Sequence, residues 1–169
     1  ALESDFDFKD VTLGVAGAGD VGSRVIDVFQ KDGADVLYVD AAGKSEEFNQ
    51  NATRLPDIEA LLHRPLEARD TYVVSLHLPK GVAVPLETAR GIDILVNTSS
   101  GWNINEDALM QAIDEGRIGR AVLDVFKHEG EDFQNDRISQ FVSDDRLIIT
   151  PHIAYNDPRA IQKTLQMTI

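Results

Sequence analysis

Gly17, Gly19 and Gly22 have the spacing G-x-G-x-x-G directly after a run of small and β-branched apolar residues. The apolar run predicts a buried strand, and residues 23–31 predict a helix after the turn. Gly17 permits a tight turn, Gly19 lets a phosphate approach the backbone, and Gly22 lets the helix pack near the strand. The free N–H groups at the start of the helix would face that phosphate. These residue types at this spacing predict pyrophosphate binding.

A second apolar run, residues 36–39, ends on Asp40, eighteen residues after Gly22. Sites that bind a dinucleotide carry an acid about 20 residues after the last glycine, where it accepts hydrogen bonds from ribose hydroxyls. A carboxylate there repels a 2′-phosphate, and Lys44 is the only cation nearby in the sequence, which favours NAD over NADP. The alternative is an ordinary glycine turn, with Asp40 a solvated carboxylate at the end of a strand.

Three titratable residues, Asp124, Glu129 and His152, come near or after the predicted ends of later strands. A carboxylate beside a histidine raises the pKa of the imidazole and fixes its tautomer, which suits proton transfer near neutral pH. When a hydroxyl-bearing carbon loses hydride to a nicotinamide, the hydroxyl must also lose its proton. The sequence thus offers a pair for that step, although a hydrogen-bonded or exposed histidine without a catalytic role is the alternative.

The elements that must position these residues alternate between strand and helix. Further strands are predicted over residues 71–76, 92–96, 121–126 and 147–150, and helices over 57–62 and 105–115, with a polar loop or frayed helix over 43–51. Most of the strands are continuously apolar, as in a parallel sheet that is covered on both faces. We therefore expect one α/β domain over residues 1–169, a doubly wound, mostly parallel Rossmann-like sheet with ligands beyond the carboxyl ends of the strands.

Composition restricts the class of protein. The chain of 169 residues is long enough for a real core, and its lack of cysteine excludes disulfides and thiolate catalysis. No apolar run could span a bilayer and no signal peptide opens the sequence, so a cytoplasmic protein is expected. The net charge of −13 argues against nucleic acid or an anionic membrane as partner. Such acidity fits either a salt-adapted protein or a merely acidic one, which stability measured against salt would separate.

Six segments taken together resemble the nucleotide-binding domain of the D-isomer-specific 2-hydroxyacid dehydrogenases. They are residues 17–22, 74–79, 96–98, 105–109, 123–129 and 149–154. The resemblance runs from about Phe8 to Arg159 and rests on the order and spacing of the segments. It implies a Rossmann fold, NAD as cofactor, and hydride transfer between NAD and a 2-hydroxy or 2-oxo acid. It also implies a homodimer, because members of the family dimerise through this domain.

The same resemblance assigns roles to individual residues. Catalysis is assigned to His152, as the acid and base of the T-P-H motif, and to Glu129, as its partner carboxylate. Cofactor contacts, besides those of the glycines and Asp40, are assigned to Asp20 and Val21 at the pyrophosphate, to Pro79 and Thr98 in the cofactor cleft, and to Asp124 on the nicotinamide side.

The chain departs from the family at Ser100. The family has an arginine there, in a motif like N-T-x-R-G, which clamps the substrate carboxylate, and this chain reads Asn-Thr-Ser-Ser-Gly. A serine offers one donor and no charge, so the loss of a charge-assisted bidentate contact costs roughly 2 kcal/mol or more. Arg90 lies before a predicted strand and is a poor substitute, and Trp102 adds bulk just after the motif. Ser100 is not expected to act as that arginine does.

A second departure concerns domains, because family members form a separate substrate domain from segments before and after the nucleotide domain. Only about ten residues precede the strand at Val11, so we expect an excised or naturally truncated NAD-binding domain whose activity alone is doubtful. The alternative is a non-catalytic NAD-binding or dimerisation module. Restoring Ser100→Arg would separate the two, since it creates activity only where a substrate domain is supplied. Another Rossmann enzyme, similar to adenosylhomocysteinase, fits the glycine turn but not residues 123–129 or 150–154.

Overall fold

The computed structural model describes residues 7–40, 52–65, 67–127 and 136–154. The strands are β1 (Val11–Ala16), β2 (Asp35–Val39), β3 (Ala52–Arg54), β4 (Thr71–Leu76), β5 (Ile92–Asn97), β6 (Ile118–Leu123) and β7 (Leu147–Ile149). The helices are α1 (Asp20–Lys31), α2 (Ile58–Leu62), α3 (Glu106–Asp114) and α4 (Asp136–Ser143), with short 3₁₀ helices at Phe8–Asp10, Leu86–Thr88 and Gly101–Asn103. The predicted polar segment 43–51 lies outside the described residues.

The strands form one sheet in the order β3-β2-β1-β4-β5-β6-β7, and every neighbouring pair is parallel. The direction of winding reverses between β1 and β4, which are neighbours in the sheet but not in the chain. In open α/β sheets this reversal opens a crevice beyond the carboxyl ends of the strands, where ligands bind. The predicted doubly wound parallel sheet is confirmed.

Apolar side chains alternate between two layers, one on each face of the sheet. Val11, Leu13 and Val15 of β1 pack on the face that also buries Ile26 of α1. Ala16 and residues of β4, β5 and β6 pack on the opposite face, which buries apolar side chains of α2, α3 and α4. Because the side-chain period of a strand is two, a continuously apolar strand supplies both layers. The core therefore fixes the strand ends that carry the candidate site.

Side chains cap the first turns of α2 and α3. Asp57 accepts a hydrogen bond from the N–H of Ala60 at 2.8 Å, so α2 begins one residue later. The Asn105 side chain accepts from the N–H groups of Asp107 and Ala108 at the start of α3. Each cap satisfies N–H groups that have no partner within the helix. The predicted positions of α2 and α3 are confirmed to within a residue.

Other predicted bounds are wrong. The helix after the glycine turn begins at Asp20 rather than at residue 23, so Gly22 lies inside it. The strand predicted over 121–126 is β6, Ile118–Leu123, because the chain leaves the sheet at Asp124 and pairs with β5 from Ile118 onward. Periodicity could not distinguish an apolar exit loop from a strand. The short edge strand β3 and the helix α4 were not predicted.

Among the described residues, no helix is both long enough and apolar enough to cross a membrane.

Candidate cofactor and catalytic site

The glycine turn is built by backbone atoms in close contact. Gly17 has a φ of 95°, in the region that favours glycine, and a Cβ there would lie 2.4 Å from the carbonyl oxygen of His77. A Cβ on Gly22 would lie 1.9 Å from the carbonyl oxygen of Gly17. The Gly17 N–H also donates to the Val39 carbonyl at 2.9 Å, which joins the turn to the end of β2. Both predicted steric roles, the tight turn and the close packing of the helix, are present in the fold.

Gly19 differs from its two neighbours because a Cβ there would meet no atom within 4 Å. It is the N-terminal cap of α1 and makes no side-chain cap hydrogen bond. A cavity of about 490 Å³ lies at this end of the helix, lined by Asp20, Val21, Ser23 and Arg24. Open space, free N–H groups and the positive end of a helix dipole together fit an anionic pyrophosphate. Arg24, which the sequence analysis missed, adds a positive charge there, and no sequence signal separates it from an ordinary surface residue.

Asp40 is buried, with 8 % of its surface exposed, directly after the carboxyl end of β2. The guanidinium of Arg54 donates to the backbone carbonyl of Asp40 at 3.1 Å. Arg54 is thus a cation near Asp40 in space, although Lys44 is the only one close to it in the sequence; Lys44 itself lies outside the described residues. The parallel pairing of Tyr38 with Arg54 brings this arginine across from β3. Inspection of the residues that follow Asp40 could not find it, because β3 was not predicted.

Two buried asparagines shape the loops that follow β4 and β5. The Asn97 side chain accepts from the N–H and hydroxyl of Ser99 at 3.1 and 2.8 Å and donates to the Ser100 carbonyl at 3.0 Å. The Asn103 amide donates to the carbonyl of Pro79 at 2.9 Å. Buried amides that bridge loops in this way hold both loops in one arrangement. Sequence reasoning missed Asn103, since an asparagine in a polar segment carries no sign of burial.

Pro79 and Thr98 thus lie in two joined loops at the carboxyl edge of the sheet, the edge that also carries the glycine turn. Pro79 is exposed and Thr98 is half-buried. Their predicted contacts with the cofactor, like those of Asp20, Val21 and Asp124, stay predictions.

The carboxylate of Asp124 anchors the loop that carries His152. It accepts hydrogen bonds from the Thr150 hydroxyl and from the N–H groups of Ile153 and Ala154, the last two at 2.9 Å. Burial alone raises the pKa of Asp124, but the hydrogen bonds from Thr150, Ala154 and Ile153 and the charge of His152 outweigh it, so the pKa is lowered. Asp124 is therefore an ionised, buried anchor, a role that the sequence did not reveal.

His152 has a φ of 51°, in the left-handed region that residues other than glycine rarely adopt. Its N–H donates to the Thr150 carbonyl at 2.9 Å, and the three hydrogen bonds to Asp124 hold the rest of the loop. Strained backbone of this kind clusters at functional sites, where the surroundings enforce it. Glu129, the predicted partner of His152, lies outside the described residues.

Ser100 and His152 line the same cavity, of about 310 Å³, between the loops after β4, β5, β6 and β7. The Ser100 hydroxyl accepts a hydrogen bond from the Trp102 N–H at 3.3 Å and caps the 3₁₀ helix Gly101–Asn103. The two positions that the resemblance assigns to catalysis in this part of the chain are thus brought together. The Ser100 hydroxyl thus has a structural role, as the cap of this 3₁₀ helix, that an arginine side chain would not perform.

His77 lies at the end of β4 and is half-buried, with Nε2 2.9 Å from the Ser75 hydroxyl. Burial lowers the pKa of His77 below its ordinary value of 6.5. The unfolded chain therefore binds a proton that the folded chain resists, and the free energy of unfolding should fall as pH drops below 6.5. Urea unfolding of the wild type and of His77→Gln at pH values of about 7.5 and 5.5 checks this.

The expected result is that His77→Gln loses less stability than the wild type over that interval. His63→Gln is the matched control, because His63 is exposed. Equal losses in all three proteins would contradict the prediction.

The amino-acid sequence of the chain is similar to those of known dehydrogenases. Residues 3–154 match the family model described as "D-isomer specific 2-hydroxyacid dehydrogenase, NAD binding domain". The chain is 35 % identical over 150 residues to erythronate-4-phosphate dehydrogenase of Bacteroides thetaiotaomicron, covering 86 % of this chain and 40 % of that protein. It is 28 % identical over 175 residues to the D-specific alpha-keto acid dehydrogenase of Enterococcus faecium, covering 95 % and 51 %.

A solved structure of D-lactate dehydrogenase from Aquifex aeolicus, complexed with NAD and lactic acid, superposes with a TM-score of 0.78 at 28 % identity, covering 96 % of this chain and 52 % of that one. The NAD-complexed D-isomer-specific 2-hydroxyacid dehydrogenase from Lactobacillus delbrueckii gives a TM-score of 0.78 at 25 % identity. The chain spans about half of the length of these relatives, or less. With the matched model covering most of its residues, the chain belongs to the NAD-binding domain family of the D-isomer-specific 2-hydroxyacid dehydrogenases.

Proposed function

We propose that this chain is the nucleotide-binding half of an enzyme that transfers hydride between NAD and a small 2-hydroxy or 2-oxo acid. The observation that carries the proposal is the convergence at one edge of the sheet. The glycine turn, Asp40, Ser100, Asp124 and His152 follow the carboxyl ends of β1, β2, β5, β6 and β7. A cofactor bound across the reversal between β1 and β4 would extend toward the cavity of Ser100 and His152.

The residues have distinct tasks in this proposal. The nicotinamide, when bound, supplies or accepts the hydride. In oxidation a ring nitrogen of His152 takes the hydroxyl proton of the acid, and in reduction it returns that proton to the carbonyl oxygen. Asp124 holds the His152 loop through its hydrogen bonds, and Glu129 is proposed as the carboxylate that stabilises the protonated imidazole.

We propose further that residues 1–169 form one NAD-binding domain, that a substrate domain lies outside this sequence, and that the complete protein is a cytoplasmic homodimer. The coverage supports the domain proposal, because the family model describes only the NAD-binding domain and the matched relatives are about twice as long. The dimer follows from the family resemblance alone, and the cytoplasmic location follows from the expectation that no apolar run spans a bilayer.

The second candidate function is a non-catalytic NAD-binding or dimerisation module. One observation favours it: Ser100 stands at the family's arginine position and is used to cap a 3₁₀ helix. Restoring Ser100→Arg together with a supplied substrate domain separates the two, because only the enzyme gains activity.

Calorimetric titration of the chain with NAD, and with NADP as the comparison, tests the cofactor site. Saturable binding of NAD is expected, and Asp40→Ala should weaken it about tenfold. The substitution removes hydrogen bonds to a charged group, which are worth about 1.5 kcal/mol or more. A free energy of about 1.4 kcal/mol corresponds to a tenfold change in affinity. The same substitution should strengthen NADP binding, because Arg54 remains beside the position of the 2′-phosphate.

The matched control is Asp40→Ala combined with Arg54→Gln, which should lose the gain in NADP binding. No saturable binding of NAD at concentrations up to about 1 mM, a free energy of about −4 kcal/mol, would contradict the proposal.

A further inference from the structure

Two lysines line the cavity that contains Ser100 and His152, although the chain as a whole is strongly acidic. Lys80 and Lys127 both line it, and none of the described lining residues is an aspartate or glutamate. The whole chain has a net charge of −13, with 29 acidic residues against 16 lysines and arginines. Among the described residues, two lysines at one small cavity are therefore a local excess of positive charge, which attracts anions.

Both lysines lie against one aromatic side chain. The Nζ atoms of Lys80 and Lys127 are 5.3 and 5.0 Å from the centroid of the Trp102 ring, within the range of cation–π interactions. Trp102 is 50 % exposed, which is unusual for the largest apolar side chain. The ring thus holds two like charges, which repel each other, no more than about 10 Å apart. An anion that interacts with both ammonium groups would offset that repulsion.

The backbone positions all three residues independently of any ligand. A Cβ on Gly101 would lie 1.9 Å from the backbone of Phe126. Only glycine therefore lets the 3₁₀ helix Gly101–Asn103 contact the segment after β6 that carries Lys127. The Lys127 N–H donates to the Glu106 carboxylate at 3.1 Å. The Asn103 amide holds the Pro79 carbonyl, one residue before Lys80. These contacts fix the backbone, while the ammonium groups have no carboxylate within salt-bridge distance among the described residues.

We propose that Lys80 and Lys127, held against Trp102, bind the carboxylate of the 2-oxo acid beside His152. They would supply the positive charge that the family resemblance places at the position of Ser100. Two point charges from two loops replace one planar guanidinium, so the carboxylate is attracted without the bidentate geometry that an arginine imposes. The inference rests on the proposed function for the identity of its ligand.

Trp102 is the only tryptophan in the chain, so tryptophan fluorescence reports on the surroundings of this one ring, which include the cavity. The probe is oxamate, an unreactive analogue of a 2-oxo acid, titrated at constant ionic strength with and without saturating NAD. A saturable change in Trp102 fluorescence is expected, and Lys80→Gln and Lys127→Gln together should weaken oxamate binding at least tenfold. Lys31→Gln, at an exposed lysine at the end of α1, is the matched control and should leave binding unchanged.

Quenching of the same fluorescence gives a second readout. Iodide quenching should fall by half or more in the double variant, because the two cations no longer attract the anion, while quenching by neutral acrylamide should not fall. An unchanged ratio of the two quenching constants, or oxamate binding that ignores both lysines, would overturn the proposal. Inorganic phosphate that binds more tightly than oxamate with the same dependence on the lysines would overturn the assignment to a carboxylate.

Calorimetry with NAD on the same variants keeps the two proposals separate. If every variant binds NAD and oxamate binding ignores the lysines, the anion site alone is refuted. If NAD does not bind, the proposed function fails, and the oxamate titration without NAD still decides whether the lysines bind a carboxylate.

Discussion

Gly22→Ala is expected to lower the free energy of unfolding by about 3 kcal/mol and to weaken NAD binding at least tenfold. The added Cβ would lie 1.9 Å from the carbonyl oxygen of Gly17, so helix and turn must separate. Backbone on both sides of the contact is held by the sheet, since the Gly17 N–H donates to Val39 and β1 lies between β2 and β4. The separation therefore disturbs both the core and the N–H groups that would face the pyrophosphate. Urea unfolding and calorimetric titration with NAD measure the two effects.

Gly19→Ala is the matched control, because the same chemical change falls in the same turn. A Cβ on Gly19 meets no atom of the chain within 4 Å, and its φ of −74° suits alanine. The free energy of unfolding of the Gly19→Ala variant should change by no more than about 1 kcal/mol, the scale of a helix-cap effect. NAD binding should still weaken, since the methyl group enters the space proposed for the pyrophosphate. Equal losses of stability in the two variants would refute the steric interpretation, and unchanged NAD binding in Gly19→Ala would place the pyrophosphate elsewhere.

Asp124→Asn is expected to destabilise the fold by about 3 kcal/mol, because charge-assisted hydrogen bonds are worth roughly 1.5–3 kcal/mol each and an amide nitrogen would face a backbone donor. The Asp124 carboxylate accepts three hydrogen bonds from the loop of residues 150–154. That loop carries His152 in its left-handed conformation, so the substitution should also change the NMR chemical shifts of the His152 ring at constant pH. Urea unfolding gives the stability.

Thr150→Val provides the comparison, because it removes one donor and leaves the charge and both N–H hydrogen bonds. Thr150→Val should lower the free energy of unfolding by about half as much as Asp124→Asn does. The pKa of Asp124 is lowered below its ordinary value of 3.8, so the carboxylate stabilises the fold fully above that pH and loses its effect as pH falls through the lowered pKa. The stability difference between wild type and Asp124→Asn should therefore be constant near neutral pH and shrink in strong acid. A difference that grows in acid would contradict this account.

The sequence alone determined the fold class and the cofactor, because both depend on local patterns. Apolar strands alternating with helices specify a covered parallel sheet, and three glycines followed by an acid specify a turn at a helix N-terminus. Those predictions are confirmed by the sheet order and by the family match. The predicted bounds of strands were wrong where locally similar residues have different tertiary environments. At Asp124 the apolar run continues in the sequence, although the strand has already left the sheet.

Only the tertiary structure decided which side chains from distant segments meet. Arg54 reaches Asp40 through a strand pairing, Asp124 anchors the His152 loop, and Lys80 and Lys127 converge on Trp102. Each contact joins residues that are separated in the chain and lie on or after different strands, so no local periodicity records it. The carboxyl edge of a parallel sheet collects such loops in space, and their mutual packing, rather than any motif, sets the charge and shape of the site.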